Sequence, residues 1–324
     1  MLQSNPPAPV VSIAEVRKID VAFAGGKGAG LGELTSIGVP VPPGFVVTAP
    51  AYFQFLDSAG IRPQAGRLLS GLDVNDSAAL ERAAAELRGL ISGAEMPADI
   101  AAETAAAYRA MSEGLVAVRS SATAEDLADA SFAGQQDTYL NIEGAEEVVR
   151  AVQKCWASLF EARAIFYRAG AGFGQLDVGI AVVVQRMVQS ERSGVMFTIH
   201  PVTNDRTQMV IEAIYGLGEA VVSGVVTPDM YVVEKASGTV IDSQVVAQEQ
   251  ELVRAQSTAG GERNHWNEVD WGRRAKQKLS EAEISELAAI GRRLEEHFGC
   301  PQDIEWAYDG SFYIVQARAV TTAG

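Results

Sequence analysis

Glu305, Gln316 and Arg318 lie on two short alternating runs, QDIEWAY and SFYIVQARA, joined through Asp309-Gly310. Alternation flanking an Asp-Gly pair is a strong hairpin signal. A two-residue turn would set Tyr308 opposite Ser311 and Glu305 opposite Ile314. It would place Asp303, Glu305, Gln316 and Arg318 on one sheet face, and Ile304, Trp306, Tyr313 and Val315 on the other. The second face reads as core. The first brings together carboxylates, an amide oxygen and a guanidinium: hard oxygen ligands of the kind Mg²⁺ takes, and a fork that suits phosphate. The same residues also fit a solvated face with an ordinary ion pair, and an odd-length turn would undo the arrangement.

A second candidate is AGGKGAGLGE, Ala24 to Glu33. Glycines around a lysine suggest a phosphate loop, but neither standard pattern fits. Walker A needs a glycine where Val21 stands and a Ser or Thr where Gly28 stands. GxGxxG needs a third glycine where Leu31 or Glu33 stands. Lys27 therefore belongs to another kind of site or to none. A third segment, AVRSSATAEDLADASFAGQQDTYLNI from Ala117 to Ile142, is dense in small and hydroxyl residues and shows neither helical nor strand periodicity. Small residues with exposed N–H groups suit a phosphate cradle, and loops this long are uncommon unless functional. A plain Ser/Ala surface loop is the alternative.

The surrounding pattern indicates what must hold these residues. A strand, the glycine loop and a short helix to Gly38 precede an extended VPVPPGFVVT, whose paired prolines exclude a helix. Helical spacing follows in DSAALERAAAELRGLIS and in PADIAAETAAAYRAMSEG, where Pro97 suits a first turn. LVAVR reads as a buried strand, GAEEVVRAVQKCWASLFEARAIFYRAG as one long helix and GIAVVVQRMV as a core strand. From Ser193 onward strands dominate: SGVMFTI, QMVIEAIYG, MYVVEK and GTVIDSQVV. A polar stretch at 255–268 reads as a surface loop. The last helix carries a capping box at Ser280 and Glu283 and closes at Gly299. The class is α+β, and neither an internal repeat nor a low-complexity segment is evident.

Composition narrows the partners. The 324 residues carry a net charge of −15, which argues against general nucleic-acid binding. A polyphosphate ligand would need a few well-placed cations. Two cysteines and three histidines support neither a disulfide framework nor a His-based metal cluster, and reduced thiols suit a cytoplasm. No apolar run is long enough to span a membrane. The first eleven residues, lacking Lys, Arg or a long apolar block, read as a loose arm and argue against a signal peptide.

Seven blocks, in order over residues 12–322, resemble one family. They are GGKGAGLGEL…VPVPPGFVVT, AVRSSATAEDLADASFAGQQDTYLNI, KCWASLF, VVQRMV, SGVMFTIHPVT, YGLGEAVVSGVVTPDMYVV and QDIEWAYDGSFYIVQAR. The chain is similar to the ATP-binding domain of the phosphoenolpyruvate-utilising dikinases, a group that includes phosphoenolpyruvate synthase, pyruvate, phosphate dikinase and rifampicin phosphotransferase. The resemblance implies an ATP-grasp-like, two-lobed nucleotide-binding fold: an arm at 1–11, an N-terminal lobe with a helical insert at 12–188, and a sheet-rich lobe at 189–324. It implies that Lys27 and Arg119 contact the ATP phosphates and that Gly134 and Thr138 belong to a mobile loop over the triphosphate. Gln185 would line the adenine pocket, Glu305 and Gln316 would associate with Mg²⁺, and Arg318 would bind phosphate. The catalytic set it implies is Lys27, Arg119 and Arg318. In the family the β-phosphate passes to a histidine on a separate swivelling domain, within a Thr/Ser-Gly-Gly…His motif that this sequence lacks. The expectation is an ATP-using half that binds Mg-ATP and needs a phosphohistidine carrier domain or chain. Phosphoenolpyruvate synthase chemistry is the first reading. A rifampicin phosphotransferase is the second, on SFAGQQDTYLNI and HFGCPQDIEW. A non-catalytic ATP-sensing module is a third, and an ATP-grasp ligase a more distant one.

Overall fold

The computed structural model describes residues 8–123, 137–255 and 263–320. The chain divides into two compact units, residues 1–36 with 43–187 and residues 37–42 with 188–324.

Among the described residues, the first unit has an antiparallel sheet of β1 (Val10–Ser12), β2 (Gly44–Val47), β3 (Val116–Ala122), β4 (Thr138–Ile142) and β5 (Ile180–Arg186), in the order β1-β2-β5-β3-β4. Its helices are α1 (Val21–Ser36), α2 (Ala49–Ser58), α3 (Ile61–Leu69), α4 (Ser77–Gly93), α5 (Ala98–Ala110), α6 (Ala145–Ser158) and α7 (Ala162–Gly170). Strand β5 is a near-continuous apolar run because both its faces are covered. Phe45, Val47, Val118, Val182 and Val184 face a core built with α2, α4 and α6, which contribute Tyr52, Phe55, Leu87 and Trp156. Against the other face lies α1, where the Gly28 backbone approaches Val46 and Val183.

Three expectations change here. The glycine stretch is not a loop but part of α1, two helical pieces joined across Gly25. Gly25 has φ +68°, and a Cβ there would stand 2.2 Å from the Ser121 carbonyl oxygen. Close packing on the sheet thus outweighs the low helix propensity of glycine. The long helix expected from Gly144 to Gly170 is α6 and α7. At the break the Leu159, Phe160 and Glu161 N–H groups reach back three residues, to the carbonyls of Trp156, Ala157 and Ser158. Glu161 then turns extended to start α7 and pairs with Arg88 at 2.6 Å. The bend lets Trp156 and Ile165 enter one core. Finally, the Ala117–Ile142 segment is not aperiodic throughout: it opens within β3 and closes as β4, which pair with each other.

In the second unit the sheet order is β13-β12-β6-β7-β8-β9, all antiparallel: β6 (Arg192–Phe197), β7 (Gln208–Tyr215), β8 (Asp229–Glu234), β9 (Val240–Gln244), β12 (Gln302–Tyr308) and β13 (Phe312–Ala319). A separate hairpin pairs β10 (Gln250–Arg254) with β11 (Asn264–Glu268). Over 264–268 strand β11 replaces the surface loop expected at 255–268, of which 256–262 lie outside the described residues; mostly exposed side chains hid the strand, because backbone pairing rather than burial defines it. The short α8 (Glu219–Val222) follows β7, and α9 (Glu281–Phe298) begins with the expected Ser280–Glu283 capping box and ends at Gly299. Residues 37–42 group with this unit: the Ile314 N–H donates to Pro40 O at 2.8 Å, and Arg293 donates to the Ile37 carbonyl. No helix of the described residues is long and apolar enough to cross a membrane.

Candidate functional site

In the first unit the sheet register gathers the sequence candidates on one face. Arg119 is opposite Val183 and Ala117 opposite Gln185 on β5, while Thr138 on β4 is opposite Arg119. Directly paired residues share a face, so Arg119, Thr138 and Gln185 lie on the side that carries α1. Arg119 and Gln185 are both buried, and Thr138 is exposed. Thr138 begins a strand rather than sitting in a loop. Gly134 lies outside the described residues.

Ser121, two residues beyond Arg119 on the same face, holds the glycine segment. Its Oγ accepts the Gly28 N–H at 3.2 Å and donates to the Ala24 carbonyl at 3.0 Å, spanning the break at Gly25. Lys27, half-buried, is on the clamped turn. Its charge reaches the Cys155 thiol, whose Sγ lies 3.9 Å from Val118 O, beside Arg119 in sequence. Burial pushes that thiol well up, Asp137 adds to the rise, and Lys27 opposes it. Lys27 on α1 and Arg119 on β3 thus lie on the same side of this sheet.

In the second unit the hairpin differs from expectation, yet keeps its polar quartet. Tyr308 pairs with Phe312, so the loop has three residues, with Gly310 at φ +69°. A bulge follows between Glu305 and Trp306, and beyond it Glu305 pairs with Gln316 and Asp303 with Arg318. The extra loop residue inverts the side-chain parity, and the bulge at Val315 inverts it back. Glu305 therefore faces Gln316 and not Ile314. The apolar face consists of Ile304, Trp306, Phe312 and Ile314, all buried, instead of including Tyr313 and Val315.

Arg318 holds Asp303 through Nε at 2.9 Å and Nη2 at 2.7 Å. Burial raises the Asp303 carboxyl; Arg318 lowers it and Glu305 raises it again. Sequence reasoning missed Glu212 on β7, whose carboxyl is raised by burial and then by Asp303. Its only sequence signal was a charge interrupting the apolar run QMVIEAIYG. Three carboxylates, an amide oxygen and a guanidinium thus share one region of this sheet.

A magnesium-bound polyphosphate needs hard oxygen donors for the metal and cations for its phosphates. Glu305 and Gln316 offer hard oxygen donors directly across a strand pair. Among the described residues no group of three or more His, Cys, Asp or Glu side chains is placed to hold a metal ion. That donor set suits Mg²⁺, which ordinarily uses one or two protein carboxylates and completes its shell with phosphate oxygens and water. The chemistry fits.

Residues 21–324 match the family described as pyruvate phosphate dikinase, AMP/ATP-binding domain. The chain belongs to this family. ATP is therefore the ligand class of the domain, and the family's enzymes are ATP-dependent phosphotransferases. Relatives agree along nearly the whole chain. A probable phosphoenolpyruvate synthase of Methanothermobacter thermautotrophicus is 50% identical over 97% of this chain and 46% of its own length. The phosphoenolpyruvate synthase of Pyrococcus furiosus is 44% identical over 95% of this chain and 43% of its own. A rifampicin phosphotransferase of a Streptomyces species is 46% identical over 97% and 36%. The chain spans less than half the length of each of these three. Among solved structures, PH1788 from Pyrococcus horikoshii Ot3 aligns at 13% identity with a TM-score of 0.33, over 74% of this chain and 88% of that one, too weak a likeness to assign a fold.

Proposed function

We propose that this chain is the Mg-ATP-binding phosphotransferase module of a phosphoenolpyruvate synthase-type enzyme, passing the β-phosphate of ATP to a histidine on a separate domain or partner chain. The carrying observation is the direct pairing of Glu305 with Gln316, flanked by Asp303 and Arg318, in a chain matching the family from residue 21 to 324. In this reading the fold is ATP-grasp-like, with lobes at 12–188 and 189–324, and the setting is cytoplasmic. Lys27 and Arg119 take phosphate oxygens from the first lobe. Arg318 does so from the second, with Asp303 fixing its guanidinium. Glu305 and Gln316 hold Mg²⁺, which would neutralise charge on the transferring phosphoryl groups. Gln185 lines the adenine pocket, and Gly134 and Thr138 belong to the segment over the triphosphate.

Phosphoryl transfer asks the protein for alignment and charge neutralisation rather than covalent chemistry of its own, and these residue types supply both. The carrier imidazole nitrogen bonds to the β-phosphorus as its bond to the oxygen bridging to the α-phosphorus breaks, releasing AMP and leaving the β- and γ-phosphates on the histidine. Water or phosphate then attacks the γ-phosphorus as its bond to the β–γ bridging oxygen breaks, and the β-phosphate stays on the carrier. The similarity to the Streptomyces rifampicin phosphotransferase supports a second reading, in which the final acceptor is rifampicin.

The test mixes the chain with Mg-ATP labelled at the β-phosphate and a purified carrier-histidine domain from a related enzyme. Label on the histidine, lost in Lys27→Ala and Arg318→Ala, supports the proposal. Tight nucleotide binding without transfer to any carrier rejects it in favour of an ATP-sensing module.

A further inference from the structure

The helical layer of the first unit contains a charge that the nucleotide reading leaves unused. Arg168 on α7 is fully buried. Its Nε donates to Gln175 Oε1 at 3.0 Å, and Gln175 is held in that orientation because its Nε2 donates to Ile165 O at 2.9 Å. Both terminal nitrogens of the guanidinium are buried without a hydrogen-bond partner among the described residues. Burial lowers its pKa to about 10, and among the described residues the group opposing that shift is the Tyr52 phenol rather than a carboxylate.

Tyr52 has the complementary problem. Its hydroxyl is buried without a hydrogen-bond partner among the described residues, and among their charges acting on it Arg168 comes first. The Trp156 ring lies 6.0 Å from the Tyr52 ring, and its indole N–H is also buried without a partner among the described residues. Phe160 offers the guanidinium a ring face at 5.6 Å, a modest compensation. Buried polar groups are nearly always paired, and a buried charge without a counter-charge is costly.

All these groups carry hydrogens to donate. A water molecule would accept two of them, but only the Tyr52 oxygen among these groups could take one of its two protons, and it would leave the guanidinium charge uncancelled. An anion only accepts, and it cancels the guanidinium charge. Tyr52, Phe55, Trp156 and Phe160 are all fully buried, so a ligand here would have to be a compact ion rather than a nucleotide phosphate.

We propose that Arg168 and Tyr52 bind a small monovalent anion of the chloride class as the internal counter-ion of the helical layer, with the Trp156 indole alongside. The full chain is melted in chloride, bromide and gluconate at fixed ionic strength. The midpoint is expected to rise with each tenfold increase in chloride or bromide and not with gluconate, and the rise is expected to disappear in Arg168→Met. Crystals of the wild-type chain grown in bromide should show an anomalous peak within hydrogen-bond distance of the Arg168 Nη atoms, a readout that stands even if Arg168→Met fails to fold. Midpoints indifferent to anion identity, a chloride response retained in Arg168→Met, or no bromide peak at Arg168 would each overturn the proposal.

Discussion

Asp229 and Lys278 form an ion pair of 2.7 Å with both side chains completely buried. Asp229 also accepts the Tyr231 hydroxyl at 2.8 Å and the N–H groups of Lys278 and Val246, each at 2.9 Å. The pair ties the chain after β9 and the chain before α9 to the first residue of β8. Asp229→Asn should destabilise the protein by about 3–5 kcal/mol, because it strands a buried ammonium. Adding Lys278→Met should recover part of that loss. Urea unfolding of the two single variants and the double variant checks both; a single-variant cost under about 1 kcal/mol would contradict this account.

The clamp between Ser121 and the glycine segment gives a second prediction. Gly25→Ala places a Cβ on the Ser121 carbonyl at a backbone angle that L residues avoid, and should cost roughly 2–4 kcal/mol. Ser121→Ala loses two hydrogen bonds with less strain, for about 1–3 kcal/mol. Under the proposed function both should weaken ATP binding by displacing Lys27, as isothermal titration can measure.

Glu283 supplies a pH prediction. Burial raises its carboxyl, but hydrogen bonds from Arg192 and from the Ser280 hydroxyl and N–H outweigh that and hold it at about 2. The Arg192 contacts are bidentate, at 2.8 and 3.0 Å. The folded value lies below the ordinary carboxylate value, so the stabilisation is full above about pH 4.5 and is lost as pH falls towards 2. Glu283→Gln should cost on the order of 3 kcal/mol at pH 7 and flatten that part of the acid limb. Chemical unfolding from pH 7 to pH 2 reads the difference; parallel curves for variant and wild type would refute it.

The Glu305–Gln316 pair gives the fourth. Under the proposed function Glu305→Gln should slow transfer to the carrier histidine by about 10²–10³. Gln316→Ala removes a neutral ligand and should do less. The magnesium concentration required for half-maximal transfer should rise in both. Unchanged magnesium dependence in Glu305→Gln would remove that residue from the metal role.

The polar quartet on the last hairpin was readable in advance because alternation is local chemistry. Asp303, Glu305, Gln316 and Arg318 share a face in the structure as the pattern implied. Their pairing was not readable. Whether the loop has two residues or three, and whether a bulge follows, depends on how β12 also pairs with β6. Glu212 comes from β7, about ninety residues away in sequence, and no spacing rule links it to Asp303. The division of α6 from α7 escaped for a similar reason, since helical periodicity survives a short turn when both pieces bury into one core.

By itself the sequence determined the α+β class, the capping box of α9, the apolar strands β3 and β5, and the residue types able to meet phosphate and magnesium. These follow from periodicity and side-chain chemistry, which act over a few residues. Tertiary structure alone decided that the Lys27 glycine stretch is helical, that Arg119, Thr138 and Gln185 share one face, and that Glu305 meets Gln316. Each depends on strand register or on backbone approach to a distant strand, and those energies exist only once remote segments pack together.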